Sequence, residues 1–429
     1  MSEAVRNALQ GLRDLGSPEE LWALAERGAA PRRRPKVNSH IHLPPNFSAF
    51  ESVEQAVALA REQEVGVLGA SNYYDYEVYG EFIDRVRGCG IFPLLGLEII
   101  ALIDPLVRAG VLINDPGNPG KIYICGKGIT RLDDMTAEAR RLIGLIRDGD
   151  AKRMAEMTAK VAAIFDAAGV ATGLDADAVT DMVVRRHGAR RGAVTLQERH
   201  VAQAFQEAFF ASVPTERRAG KLREIFAAPA QAGPNDHVKI QGEIRSHLMK
   251  AGKPAFVAET FLPFDEAYRL ILELGGIPCY PTLADGTSPI CTYEDPVEKL
   301  IESIKGSHIH MAEFIPVRNA PPVLGKYVKA MRAAGLAITA GTEHNTLDLL
   351  GIEPTCIGGA AIDEELKEIF WEGACVAAAH QFLNLHGECG YVDAEGNPNK
   401  RHGGDEERIS AFRKLGAAVI QRYYETNQG

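Results

Sequence analysis

No Cys-x-x-Cys pair occurs among the seven cysteines of the 429-residue chain, which are odd in number and widely spaced. That argues against both a disulfide framework and a structural zinc knuckle, and a reducing cytoplasm is the expected compartment. No stretch approaches 18 uninterrupted apolar residues, and the start, Met1-Ser-Glu-Ala-Val-Arg6, lacks an apolar signal core. Neither a membrane span nor secretion is therefore expected. An excess of positive charge is also missing. With a formal net charge of −10, nucleic acid is not the expected partner. There is no G-x-G-x-x-G fingerprint, nucleophile elbow or Ser/His/Asp signature, and the turns Gly88-Cys-Gly90 and Gly126-Lys-Gly128 match no phosphate-cradling loop.

What remains is an ordinary globular composition, 46% hydrophobic and 24% charged, enough for a substantial core. Residues 1–35 read as a helical leader; within it Ser17-Pro-Glu-Glu20 is a capping box with proline at the first helical position. From 36 to 129 short apolar runs alternate with helical periodicity, the order β-α-β-α-β that implies parallel strands with helical crossovers. Strand signals vanish from 130 to 250, where Ala-, Arg- and Glu-rich helices dominate, and alternation resumes from 251 to 360. Residues 361–429 read as a helical C-terminal region. About seven strands split by a helical insertion predict a distorted (β/α)7 barrel related to the TIM barrel, with its chemistry at the strand C-terminal ends.

Polar residues fall at those ends. His40 and His42, in Val37-Asn-Ser-His-Ile-His-Leu43, are two apart on a strand and so share a face where one ion can bind both rings. With 12 histidines, about 0.3 of an H-x-H pair is expected by chance, and a hydrogen-bonded or solvated pair is the plain alternative. Glu98 ends the apolar run Pro93-Leu-Leu-Gly-Leu-Glu-Ile99, where a charge needs a partner, either an ion or a neighbouring basic side chain. Glu343 and His344 close the last strand, Ile338-Thr-Ala-Gly-Thr-Glu-His344. Two imidazoles and two carboxylates suit a divalent ion such as Zn, Mn or Fe without singling one out.

These segments resemble the motifs of the polymerase-and-histidinol-phosphatase (PHP) superfamily of metal-dependent phosphoesterases. The family's opening H-x-H is similar to His40 and His42, its G-x-E to Gly96-Leu-Glu98, and its closing G-S-D-x-H to Gly341-Thr-Glu-His344. Its T-D-H element aligns with Gly69-Ala-Ser-Asn-Tyr-Tyr74. The stretch Val194-Thr-Leu-Gln-Glu-Arg-His-Val-Ala-Gln-Ala204 resembles an R-x-H-x-A-x-A-L element that some members carry in an inserted subdomain. The resemblance implies a (β/α)7 barrel holding up to three metals in its mouth. The departures are equally specific. Tyr73 and Tyr280 stand where the family has histidines, Ile122-Tyr-Ile-Cys-Gly126 carries no histidine, and Pro44-Pro-Asn-Phe-Ser-Ala-Phe50 has no third one. The lost ligands belong to the family's second and third metal positions, whereas His40, His42, Glu98 and Glu343 resemble the first. One ion per chain is expected.

Other residues carry weaker signals. Tyr73 and Tyr280 either fill vacated metal space or donate protons. His308 and His310 share a strand face, where they either rebuild a second metal site or line the core. Arg318, in Phe314-Ile-Pro-Val-Arg-Asn319, is placed to bind an anion bidentately or to make a surface ion pair. The run Arg185-Arg-His-Gly-Ala-Arg-Arg191 is either a solvated face or an anion clamp. The expected function is a metal-dependent hydrolase of a small anionic substrate, with a phosphate ester the simplest case and His344 or a tyrosine moving protons. An isomerase, epimerase or lyase acting on a sugar or sugar acid fits the same site, as does a non-catalytic binding protein. Homo-oligomerisation stays open.

Overall fold

The computed structural model describes residues 3–259 and 261–427. Seven strands form one continuous path: β1 (Lys36–Ile41), β2 (Val65–Ala70), β3 (Phe92–Leu102), β4 (Lys121–Lys127), β6 (Ile277–Thr282), β7 (Met311–Phe314) and β8 (Ala337–Ala340). A two-residue strand, β5 (Leu262–Pro263), sits off this path against β3. Helices Val53–Glu62 and Tyr79–Gly88 link β1 to β2 and β2 to β3, and helices Val297–Gly306 and Pro321–Ala333 link β6 to β7 and β7 to β8. All four pairings are parallel. The chain thus forms the distorted (β/α)7 barrel read from its sequence.

One strand departs from the parallel expectation: β4 runs antiparallel to both β3 and β6. A parallel return needs a crossover, usually a helix long enough to span the sheet. The connector from 103 to 120 contains three prolines and three glycines and forms only a five-residue helix, Asp104–Arg108. The chain therefore turns back beside β3 instead of crossing over. Because of this reversal β4 ends at the floor of the barrel, where Lys127 lies opposite Ile277, the first residue of β6.

The 31-residue helix Ala137–Ala167 follows, roughly 46 Å long at 1.5 Å per residue. Its lower half packs Ala139, Leu142, Ile143 and Ile146 into the barrel core. Its upper half packs Met154, Met157, Val161 and Phe165 into a second core shared with helices Glu198–Ser212, Thr215–Phe226 and His237–Ile244. This second core is the inserted helical body, set over the barrel mouth.

In the C-terminal region, helix Glu364–Leu385 runs beneath the barrel floor and is buried at every position from Phe370 to Leu383. Gly373 packs against the carbonyl of Ile338 on β8, where an added Cβ would lie 2.0 Å from that oxygen. Just over two turns further on, Gln381 accepts from the Leu95 amide at 2.8 Å and donates to the Pro93 carbonyl at 3.1 Å, covering backbone of β3. Helix Asp405–Asn427 packs outside it and meets helix Pro18–Glu26, whose Ser17–Glu20 capping box forms as read.

The seam between β8 and β1 closes the sheet through one parallel bridge, Ile41 with Glu343. Thr342 and Glu343 amides donate to the His40 carbonyl at 3.0 and 2.9 Å, and the His42 amide donates to the Glu343 carbonyl at 2.8 Å. Gly341 allows this approach, since a Cβ there would fall 2.3 Å from His40 Cβ. Glu343 and His344 both take left-handed backbone conformations, φ 60° and 53°. Strained residues of this kind persist where surrounding contacts over-determine them, often at functional sites.

Candidate metal centre

His40 lies in β1 and His42 just beyond it, both fully buried and on one face as their spacing requires. Their Nε2 atoms are 3.3 Å apart. Glu98, from β3, brings Oε2 to 3.1 Å from His42 Nε2 and 3.6 Å from His40 Nε2. That oxygen is buried and lacks a hydrogen bond of proper geometry. A buried polar atom left without a partner is costly and calls for an explanation. Three donor atoms facing one point, one of them an orphaned carboxylate oxygen, fit a divalent cation. Burial alone would raise the Glu98 carboxyl, but the imidazoles of His42 and His40 outweigh it and pull its pKa below the ordinary value.

A further layer orients the rings. His40 Nδ1 lies 2.6 Å from Oε2 of Glu313, a fully buried carboxylate on β7. With the proton on Nδ1, Nε2 keeps its lone pair for an ion, the usual arrangement for a ligating histidine. The other oxygen of Glu313 takes Lys127 Nζ at 2.5 Å and the Ser39 hydroxyl at 2.8 Å. Burial opposes ionisation of Glu313, yet Lys127 and His40 hold its pKa at about 2. His42 has no such partner: its Nδ1 is buried and unpaired, and its ring instead stacks on Tyr73, centroids 5.0 Å apart and planes 5° from parallel. The Tyr73 hydroxyl is pushed well above its ordinary pKa by burial and then by Glu98, so it stays protonated.

Above this cluster opens a cavity of ≈ 340 Å³, lined from the barrel by Tyr73, Glu98, Arg318 and Glu343 and from the insertion by Asp150, Arg199 and Arg245. Arg199 makes no ion pair or hydrogen bond among the described residues, and burial followed by Arg245 lowers its pKa to about 10. Arg245 begins a π-helical turn, Arg245–Met249, and its Nε is buried without a partner. Such turns recur at functional sites. Asp150 faces the same space with its pKa raised to about 6 by burial. Neighbouring charges are neutralised locally: Glu198 pairs with Arg153 and Lys250, and Lys121 with Asp115 and Glu259.

Not every residue singled out in the sequence reaches the cluster. Glu343 lies at the cavity but forms an ion pair with Arg318, and the close group of potential ligands is His40, His42 and Glu98 without it. The left-handed turn at 343 sends its carboxylate toward Arg318. His344 faces elsewhere: Nδ1 meets the Thr342 hydroxyl at 2.8 Å, Nε2 meets the Leu350 carbonyl at 3.1 Å, and the ring stacks on Phe50. Tyr280 is buried away from the cavity, its hydroxyl 2.9 Å from Glu294, which also accepts from the Leu283 and Ala284 amides. It neither meets Tyr73 nor lines the mouth. His308 and His310 precede β7, His310 beside Arg408 and Asp405, and neither belongs to a close group of potential ligands among the described residues. Three arginines of the 185–191 run are held in ion pairs, Arg186 with Glu207, Arg190 with Glu77, and Arg191 with Asp177 and Asp181. Glu313, Lys127, Arg199, Arg245 and Asp150 were not picked out as site residues by sequence reasoning.

No family model matches the chain, and no curated protein matches it in sequence. Solved structures do share its fold. An amidohydrolase from Chromobacterium violaceum, with sulfate bound and no metal, superposes with a TM-score of 0.51 at 15% identity, covering 78% of this chain and 96% of its own. A candidate metal-dependent phosphoesterase from Bifidobacterium adolescentis gives a TM-score of 0.51 at 13% identity, over 79% and 96% of the two chains. No helix among the described residues is long and apolar enough to cross a membrane. The likeness is one of fold: an α/β barrel of the kind seen in these two hydrolase-named proteins.

Proposed function

We propose that this chain is a metal-dependent hydrolase of a small anionic substrate, most simply a phosphate ester, built on a divergent PHP-like barrel with one divalent ion on His40, His42 and Glu98. The observation that carries the reading is the buried, unpartnered Glu98 Oε2 facing two imidazole Nε2 atoms at 3.1 and 3.6 Å. A bound ion of this kind supplies Lewis acidity and lowers the pKa of a coordinated water. The chain's own residues supply the rest. Glu313 holds His40 in the tautomer that leaves Nε2 free. Arg318 from the barrel and Arg199 from the insertion bind the anionic end of the substrate. The protonated Tyr73 hydroxyl, beside Glu98, donates a proton to the departing oxygen. The helical insertion excludes bulk water from above.

The test is metal content followed by turnover. Purified protein is expected to bind one divalent ion per chain and to release inorganic phosphate from a panel of phosphate esters, and His40→Ala is expected to lose both. A product of unchanged mass from sugar phosphates or sugar acids, without free phosphate, would move the assignment to isomerisation at the same ion. Neither metal nor turnover, together with a thermal shift on adding metabolites, would leave a binding protein.

A further inference from the structure

Directly beneath the candidate ion lies a second group of potential ligands. His40, Cys125 and Glu313 each offer a ligand atom, all within 4.8 Å of one another and all buried. The two groups share His40, whose Nε2 serves the upper one, so Cys125 and Glu313 are the side chains left for a lower ion, with the Ser39 carbonyl and the Ser71 hydroxyl beside them. A protonated amine occupies that lower space. Lys127 Nζ, its side chain 3% exposed, touches Glu313 Oε1 at 2.5 Å, the Ser39 carbonyl at 3.1 Å and the Ser71 hydroxyl at 3.4 Å. The reversed direction of β4 puts it there. Strand β4 carries Cys125 opposite Glu98 and ends with Lys127 opposite Gly96, so both side chains enter the barrel from one strand.

We propose that Lys127 is a built-in second cation that keeps the centre mononuclear. Its ammonium uses the Glu313 oxygen a lower ion would need, and it repels any divalent ion that approaches Cys125 and Glu313. At the same time it keeps Glu313 as the acceptor that positions His40. The inference rests on the reading that His40, His42 and Glu98 hold an ion. It adds that the same barrel contains a latent site with a cysteine ligand suited to a thiophilic metal, closed by one side chain. Lys127 is thus a positioning residue whose removal should change ion number and ligand type, not merely stability.

Cobalt reports both. Wild-type full-length protein, dialysed against Co²⁺, should hold one ion per chain and show no thiolate-to-cobalt charge-transfer absorption. Lys127→Gln, which keeps a polar group near Ser39 and Ser71 without the charge, should bind a second ion and acquire that absorption. The double variant K127Q/C125S should lose it, and Lys127→Arg should stay at one ion. Should K127Q fail to fold, Lys127→Met carries the same expectation. One ion and no new absorption in a folded neutral variant would overturn the proposal and leave the upper site standing. No ion in the wild type would overturn both.

Discussion

Glu313 reaches from β7 to β1 and sets the tautomer of His40, Oε2 to Nδ1 at 2.6 Å, while its other oxygen carries the ammonium of Lys127. A carboxylate and an ammonium are thereby buried together under the candidate ion. Removing either partner of such a pair leaves an uncompensated charge, at a cost of about 3–5 kcal/mol. Glu313→Gln should show that loss in chemical denaturation. It should also weaken divalent-ion affinity by about 10–100-fold, the usual effect of losing a histidine's outer partner. Unchanged metal affinity in a folded E313Q protein would remove the orienting role.

The two carboxylates read from the sequence should separate in their response. Glu98→Ala takes away the oxygen facing both imidazoles and should abolish stoichiometric metal. Glu343→Gln breaks the ion pair with Arg318 and should leave the ion bound while altering anion affinity. Elemental analysis of both variants distinguishes them, and equal metal loss would place Glu343 among the ligands.

Arg199 has no ion-pair partner among the described residues and lines the same cavity as Arg318. A hydrogen bond to a charged group contributes about 1.5–3 kcal/mol. Arg199→Met should therefore raise KM for an anionic substrate by about 10-fold or more with kcat little altered. Steady-state kinetics would contradict this if kcat fell and KM stayed fixed.

His380, under the floor, should make the fold acid-sensitive. Its Nε2 donates to the Gly275 carbonyl at 2.9 Å and its Nδ1 accepts from the Tyr391 amide at 3.0 Å, so a second ring proton would face a donor. Burial lowers its pKa from 6.5 to about 4. The unfolded chain then binds the proton more tightly than the folded one. The stability from this residue is complete above pH 6.5, falls as pH drops and levels off below about 4, with a slope of up to about 1.4 kcal/mol per pH unit. Denaturation between pH 7 and 4 should show a slope shallower by one proton in His380→Gln. Parallel wild-type and variant curves would dismiss it.

How much of this was legible in the residues depends on how each residue announces itself. His40 and His42 sit in one short strand, so their spacing alone forecasts a shared face, and Glu98 ends an apolar run where a charge is conspicuous. Glu313 had a similar signal: a carboxylate in the middle of Met311-Ala-Glu-Phe314 cannot be buried without partners. That signal says a partner exists and not which one, because Lys127 and His40 come from strands far apart in sequence. The direction of β4 was hidden for another reason. An apolar run reads the same in either direction, and only the broken connector before it, too rich in proline and glycine for a crossover helix, betrays the reversal. Glu343 and His344 lie on a left-handed turn that no side-chain pattern encodes, and it brings their side chains to Arg318 and the Leu350 carbonyl.

The long helix Ala137–Ala167 belongs to two hydrophobic interiors at once, rooted in the barrel below and in the insertion above. A roof mounted on an unbroken rod cannot swing on a hinge at that connection, since tilting it would bend the rod or pull one interior apart. Any ligand reaching the mouth is then expected to be admitted by side chains such as Arg199 and Arg245, not by movement of the roof on its rod.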